Sequence, residues 1–209
     1  MIRNSVLLTN SQVKRSMLHV DELKNTLSKL ARPNEADLAK LDSLCTFREF
    51  SKNEFLLQQQ ELARYSAFIV DGAFREYYVD KNGREYNKAF CFKGDFTGSY
   101  YDLESKRPST VSIQALTDSA ALMMMHDEYV KLAHTSMFWS QVAYLFTKNL
   151  LMRKFEKEYQ LLTLSAEERY AVLQAEHPEL ERLVPAYHIA SYLGITPISL
   201  SRIRAQRKG

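Results

Sequence analysis

Apolar and polar positions along this chain change their period twice, which divides it into three stretches. In the first, Asp21 is placed to cap a short helix running through Leu30. Beyond Pro33, Asn34 is placed to cap a second helix carrying Leu38, Leu41 and Leu44 on one stripe. Residues 1–19 show no clear period. From Thr46 to His126 the texture becomes short runs rich in Phe, Tyr, Val and Ile, punctuated by Gly, Asn, Asp and Ser, which reads as many short strands. Asn82-Gly83 predicts a hairpin joining Ala73–Asp80 to Arg84–Phe92 through two central residues of positive φ. Gly72, Gly94 and Gly98 supply further turns, and Val111–Met125 gives two strands broken near Thr117–Ser119. Together these predict a β-roll or jelly-roll-like barrel.

The third stretch is helical. Between Met137 and Leu164 there is neither Gly nor Pro, and Phe138, Val142, Leu145, Met152, Phe155, Tyr159 and Leu162 recur at helical spacing. Steps of three and four fit two arrangements, a stripe packed on the chain's own barrel or a two-stranded seam between two copies. Phe138, Val142, Leu145, Asn149 and Met152 are the candidate dimer-helix residues, with Asn149 as a polar interruption that fixes register. Ser165 and Glu168 form a capping box for a helix through about Ala175, with Pro178 just beyond. The expected division is therefore 1–136 for helices plus a sensor-like roll, 137–164 for the long helix and 165–209 for an all-helical unit, an α+β chain overall.

Composition narrows the class. With 209 residues, 45% apolar and 25% charged, the chain is long enough for a proper core. The longest apolar run, Ala120–Met125, is far too short to cross a bilayer, and the N-terminus has no apolar segment behind a basic start, so neither a membrane partner nor export is expected. Cys45 and Cys91 cannot build a disulfide framework or a four-thiolate cluster; they read as small core residues in a cytoplasmic protein. The net charge of +3 is small, but from Arg182 onward the charged residues are Arg182, Arg202, Arg204, Arg207 and Lys208, with no acid. That segment is either a solvated tail or a nucleic-acid footprint.

Residues 185–204, PAYHIASYLGITPISLSRIR, decide between these readings. A helix-turn-helix brings two helices into close contact, so it needs a small residue in the first, a glycine at the turn and an apolar lock. Ala190, Gly194 and the set Ile189, Leu193, Ile195, Leu200 and Ile203 meet those needs. Pro185 precedes the first helix, and Thr196 caps the second with Pro197 at its first position. In such a motif helix 197–207 enters the major groove, presenting Ile198, Ser199, Ser201 and Arg202. Arg202 can pair with guanine and Ile198 can touch a thymine methyl. Thr196, Ser199 and the helix-start amides would hold phosphates, while Arg204, Arg207 and Lys208 add sequence-blind affinity. The alternative is a helical hairpin that contacts protein, making the chain a non-DNA-binding sensor of a small molecule or a partner protein.

The order of parts resembles the Crp/Fnr family of bacterial regulators from about Ala36 onward, and the LSAEERY (164–170) and LVPAYHIASYLGITPISLSRIR (183–204) segments resemble its Bacteroidetes-type branch. The resemblance implies a cyclic-nucleotide-binding-like jelly roll, a dimerisation helix, double-stranded DNA read as a pseudo-palindrome by a homodimer, and RNA polymerase as a further partner. It also places the effector pocket near Gly98, Ser99, Tyr100, Tyr101, Arg107, Ser109 and Thr110. Members that bind cyclic AMP carry a Glu for the ribose and an Arg for the phosphate. Here Gly98-Ser99-Tyr100 lacks the acid, Ser109 stands where the Arg belongs, and Arg107 lies two residues early. Cyclic AMP is therefore not expected, and the effector is left unidentified. The given sequence ends at Gly209, so the β-wing of longer relatives is not expected either.

Enzyme chemistry finds no support. A metal-dependent barrel needs imidazoles on its strands, yet His19, His126, His134, His177 and His188 all lie outside Thr46–Met125. No catalytic residue, metal ligand set or resident cofactor is assigned.

Overall fold

The structure, a computed structural model, describes residues 10–207. Two helices open it, α1 (Asn10–Leu30) and α2 (Glu35–Leu44). The strands follow as β1 (Cys45–Phe50), β2 (Phe55–Leu57), β3 (Tyr65–Asp71), β4 (Ala73–Val79), β5 (Glu85–Phe92) and β6 (Phe96–Thr97). After a short helix, α3 (Tyr100–Ser105), come β7 (Ser112–Ala115) and β8 (Ser119–Met125). The chain ends in α4 (His126–Thr135), α5 (Met137–Thr163), α6 (Ala166–Glu176), α7 (Leu180–Leu183), α8 (Ala186–Leu193) and α9 (Pro197–Gln206). No described helix is long and apolar enough to cross a membrane.

The strands form two antiparallel sheets, ordered β1-β8-β3-β6 and β2-β7-β4-β5, closed face to face as a roll. Strand periodicity explains the layering, because alternate side chains point to opposite faces. On β8, Ala121 and Met123 enter the core between the sheets with Ile69, Phe74 and Ile113, while Ala120 and Leu122 face outward to α1, α2 and α5. That outer layer buries Leu23, Leu27, Leu41, Phe138 and Trp139. The Asn34 capping box starts α2, its side chain accepting from Asp37 N at 2.8 Å.

Two local expectations need correction. The first helix begins at Asn10 rather than near Asp21; the segment ahead of Asp21 contains no Gly or Pro to stop it. The β4–β5 hairpin is present, but Gly83 (φ +79°) has positive φ and Asn82 does not. Asp80 N donates to Arg84 O at 3.0 Å, while Asp80 Oδ1 accepts from the amides of Asn82 and Arg84. The Asp80 carboxylate thus supports a three-residue loop that needs only one left-handed residue.

The helical C-terminal unit is docked on the roll. Ala73, Phe90, Phe92 and Leu116 share one apolar cluster with Tyr170, Leu173, Leu180, Val184 and Ile189. A polar joint seals the contact around Arg75, which is only 5% exposed. Its Nε and Nη2 donate to Gln114 Oε1 at 3.0 and 2.7 Å, and its Nη1 donates to Glu85 Oε2 at 2.5 Å. Arg75 Nη1 and Asn87 Nδ2 both reach His188 Nδ1 at 3.2 Å. Both are donors only, so Nδ1 must be the accepting nitrogen and His188 must be neutral. Ser191 Oγ accepts from Asn87 N at 3.1 Å, tying α8 to β5. Lys157 adds a third tie from α5, donating to the Lys88 carbonyl with its ammonium 4.0 Å from the Tyr192 ring centre. Burial, reinforced by the Lys88 charge, pushes that ammonium down to about 8.

Two outcomes follow. A Cβ at Gly72 (φ +80°) would lie 2.2 Å from Ser119 Oγ and 2.7 Å from the Asp118 carbonyl, so Gly72→Ala should cost about 1–3 kcal/mol or more, read as a lowered midpoint in denaturant. Burial, and then the Arg75 charge, push His188 down to about 4. Between pH 6.5 and about 4 the released side chain therefore binds a proton that the docked one refuses. The joint's contribution should be complete above pH 6.5 and be lost as pH falls towards 4. Hydrogen exchange of α8 amides across that range should show this loosening, and His188→Gln should flatten it.

Candidate nucleic-acid interface and effector cavity

Helices α8 and α9 meet through the turn the spacing predicts. Gly194 adopts φ +70° and ψ 27°, and its left-handed conformation lets Ile195 N donate to Ala190 O at 3.0 Å. Ala190 is fully buried, leaving room for α9 to approach, and Ile189, Leu193 and Leu200 close the seam. Arg169 braces it from α6 by donating to Leu193 O at 3.0 Å. The Ser165 capping box sets the start of that helix. Thr196 caps α9 by accepting from Ser199 N at 3.1 Å, with Pro197 in the first turn. Since Pro197 has no N–H and Ser199 N is taken, Ile198 carries the helix-start amide left for an anion.

The expected reading face splits into two. Thr196, Ile198, Ser201 and Arg202 are exposed, Ile198 at 67%, and Ser199 is half-buried against Thr196. Arg202 makes no recorded ion pair among the described residues. Arg204 departs from its expected role as a free phosphate contact. Its Nε donates to Tyr170 Oη at 3.1 Å and its Nη2 pairs with Glu181, so the guanidinium holds α9 to α6 and α7. Arg207 is likewise bonded to Gln174 Oε1 at 2.9 Å, and Lys208 lies outside the described residues.

Helix α5 also divides. Phe138 and Val142 are buried in the chain's own core beside Trp139, which corrects their placement on an intermolecular seam. Leu145 is half-buried, and Asn149 and Met152 are exposed. Farther along, Phe155, Tyr159 and Leu162 are 57%, 63% and 76% exposed, so this part of the apolar stripe is left largely uncovered by the described residues.

Between the roll and α5 lies a cavity of about 430 Å³. Trp139, Val142, Phe146 and Leu150 of α5 form one wall, and Leu27 and Leu30 of α1 another. Gly98, Ser99, Tyr100, Tyr101 and Thr110, all expected at the effector pocket, line it too, although Tyr101 is 64% exposed. Arg107 and Ser109 do not. Arg107 is exposed on the loop, and Ser109 is buried behind the wall.

The reason is Asp102, a residue the sequence reading passed over. Its Oδ2 accepts from Ser99 Oγ at 2.5 Å, Thr110 N at 2.9 Å, Thr110 Oγ1 at 3.1 Å and Ser109 Oγ at 3.2 Å. Burial opposes its charge, but the hydrogen bonds from Ser99 and Thr110 outweigh it and hold the carboxyl below its ordinary range. Glu76 was missed as well. Buried on the cavity wall, it accepts from Lys88 Nζ at 2.6 Å and Thr97 Oγ1 at 2.8 Å, and the Lys88 charge keeps it ionised against the cost of burial. One signal could have flagged it: β4 alternates, and Glu76 falls on the same face as Phe74.

Comparison with known proteins agrees with this architecture. The model of the cyclic nucleotide-binding domain matches residues 47–136. No curated protein sequence matches the chain. Among solved structures, FixK2 from Bradyrhizobium japonicum is similar at TM-score 0.66 and 26% identity, covering 78% of this chain and 84% of that one. The Thermus thermophilus catabolite activator protein gives 0.55 and 22%, over 87% and 85%. A CooA variant from Carboxydothermus hydrogenoformans gives 0.62 and 18%, over 78% and 76%. Residues 47–136 thus match the cyclic nucleotide-binding domain, in a chain whose structural neighbours are regulators of the Crp/Fnr family.

Proposed function

We propose that the chain is a cytoplasmic, DNA-binding transcription regulator that acts as a homodimer and whose roll responds to a small molecule other than cyclic AMP. The observation that carries this reading is the division of labour on α9. Arg204 and Arg207 are spent on holding the helix, while Arg202 and Ile198 project from its opposite face, both exposed, Arg202 without an ion pair among the described residues. A guanidinium displayed on a braced helix whose start is capped suits a base edge in the major groove. FixK2 and the catabolite activator protein support the same architecture.

Dimerisation would use the exposed half of α5. Met152, Phe155, Tyr159 and Leu162 follow steps of three and four, the seam spacing of a two-stranded coiled coil. Two copies joined there would present two α9 helices to half-sites about 34 Å apart or a multiple of it.

Binding selections on random duplexes test the reading. Arg202→Ala should lose about 1–3 kcal/mol of discrimination at one base pair per half-site. Arg204→Ala should instead lower the melting temperature of the C-terminal unit and leave the salt dependence of DNA binding unchanged. Indifference of wild type and Arg202→Ala alike to every duplex would exclude DNA as the partner. In equilibrium sedimentation, Phe155→Glu should shift the protein from dimer to monomer while its circular dichroism stays that of the wild type.

A further inference from the structure

We propose that the cavity between the roll and α5 receives an uncharged, mainly aromatic small molecule, the negative charge for the adjoining donor cluster being supplied by the chain itself through Asp102. The identification of this molecule as an effector rests on the regulator reading above; its chemistry rests on the cavity alone.

Three donors converging on one oxygen, with a fourth hydroxyl beside them, make an anion receptor. In this chain the receptor is already filled. The Ser99 and Thr110 hydroxyls and the Thr110 amide end on Asp102 Oδ2, the Ser109 hydroxyl is shared between that oxygen at 3.2 Å and Val111 O at 2.8 Å, and Asp102 is fully buried. An incoming phosphate or carboxylate would find these donors taken and a fixed negative charge behind them. The opposite side of the cavity offers no better reception. Glu76 is ionised there, and the Lys88 charge facing it is consumed in their pair. Glu104 is occupied by His126 at 3.1 Å. Lys154, the lining cation with no recorded ion pair among the described residues, is solvent-exposed, where an attraction is screened.

The remaining wall favours apolar matter. Tyr100, Tyr129, Trp139 and Phe146 give it ring faces and edges, and Val142 and Leu150 fill between them. At about 430 Å³ the space is in the range of small-molecule sites, most of which are apolar with a few polar groups. A planar neutral ligand would bury its area against these rings without having to displace an internal ion pair.

The chain's only tryptophan, Trp139, lies on the wall and reports occupancy directly. The full chain is titrated with 2-acetylnaphthalene and with 2-naphthoate, which share a ring system and differ in charge. Affinity is read by calorimetry and location by quenching of Trp139 emission. The neutral probe should bind at least tenfold tighter and quench the emission. In Asp102→Asn, which removes the internal charge with little change of shape, the preference should shrink to threefold or less. Leu150→Phe, which fills part of the cavity, should weaken the neutral probe at least tenfold. Equal or tighter binding of 2-naphthoate or cyclic AMP to the wild type, no binding of the neutral probe, or its unchanged affinity in Leu150→Phe would each overturn the proposal. No DNA enters this measurement, so its failure and a failure of the DNA reading are separate results.

Discussion

A β-strand shows alternate side chains to opposite sides, and β4 has an essential partner on each. Inward, Phe74 packs in the roll and Glu76 meets Lys88 and Thr97 at the cavity wall. Outward, Ala73 enters the apolar cluster shared with the C-terminal helices and Arg75 builds the joint to His188. The strand's register therefore fixes the cavity and the placement of the helix-turn-helix at once, and a slip by one residue would exchange the two sets. Arg75 makes the outward contact specific as well as apolar. Its guanidinium lies 3.8 Å from the Tyr77 ring centre and donates to Gln114, Glu85 and His188. Its charge partner Glu85 and its acceptor Gln114 belong to the roll, so the guanidinium stays paired if the helices undock, and the bond that undocking breaks is the one to neutral His188.

What the sequence disclosed was mostly local. The capping boxes at Asn34 and Ser165, the Thr196-Pro197 helix start and the Gly194 turn each involve groups within five residues, and a linear pattern contains all the information they need. The hairpin at Asn82-Gly83 was legible as a hairpin, but its loop type turned on Asp80, which lies outside the dipeptide and whose carboxylate takes the amides of Asn82 and Arg84. Arg75 and His188 lie 113 positions apart, and no spacing rule reaches across that distance. Asp102 was missed for another reason: its partners are near in sequence, but only the closed 99–110 loop turns their donors onto one oxygen.

The long helix shows how a correct period can still mislead about its partner. Its apolar steps run from Phe138 to Leu162 with Asn149 as their one polar interruption, yet the first turns are covered by the roll and α1 while the later ones are left largely exposed by the described residues. Periodicity reports that a face is apolar; what covers it depends on where neighbouring elements end. Here the roll's cover stops near Leu150, while Lys157 still anchors the helix to the β5 backbone farther along. The exposed stripe is thus held at a fixed angle to the roll even where it is not buried by it.

That arrangement limits how occupancy of the cavity could be transmitted. A loop that closes only around a bound anion can signal by ordering, but the 99–110 loop already has its anion in Asp102, whose Oδ2 gathers the loop's donors while Oδ1 is left buried without a partner among the described residues. Ordering of this loop would leave little free energy for a ligand to exploit, since a ligand shifts an equilibrium only by its differential affinity for the two states. The wall that can still respond is α5, where Trp139, Val142, Phe146 and Leu150 face the cavity from the same helix that carries Phe155 and Tyr159 into solvent. A ligand pressing on those four side chains acts on a rigid rod whose far end bears the exposed apolar stripe. Displacement of the rod, rather than closure of the loop, is therefore the movement this geometry permits.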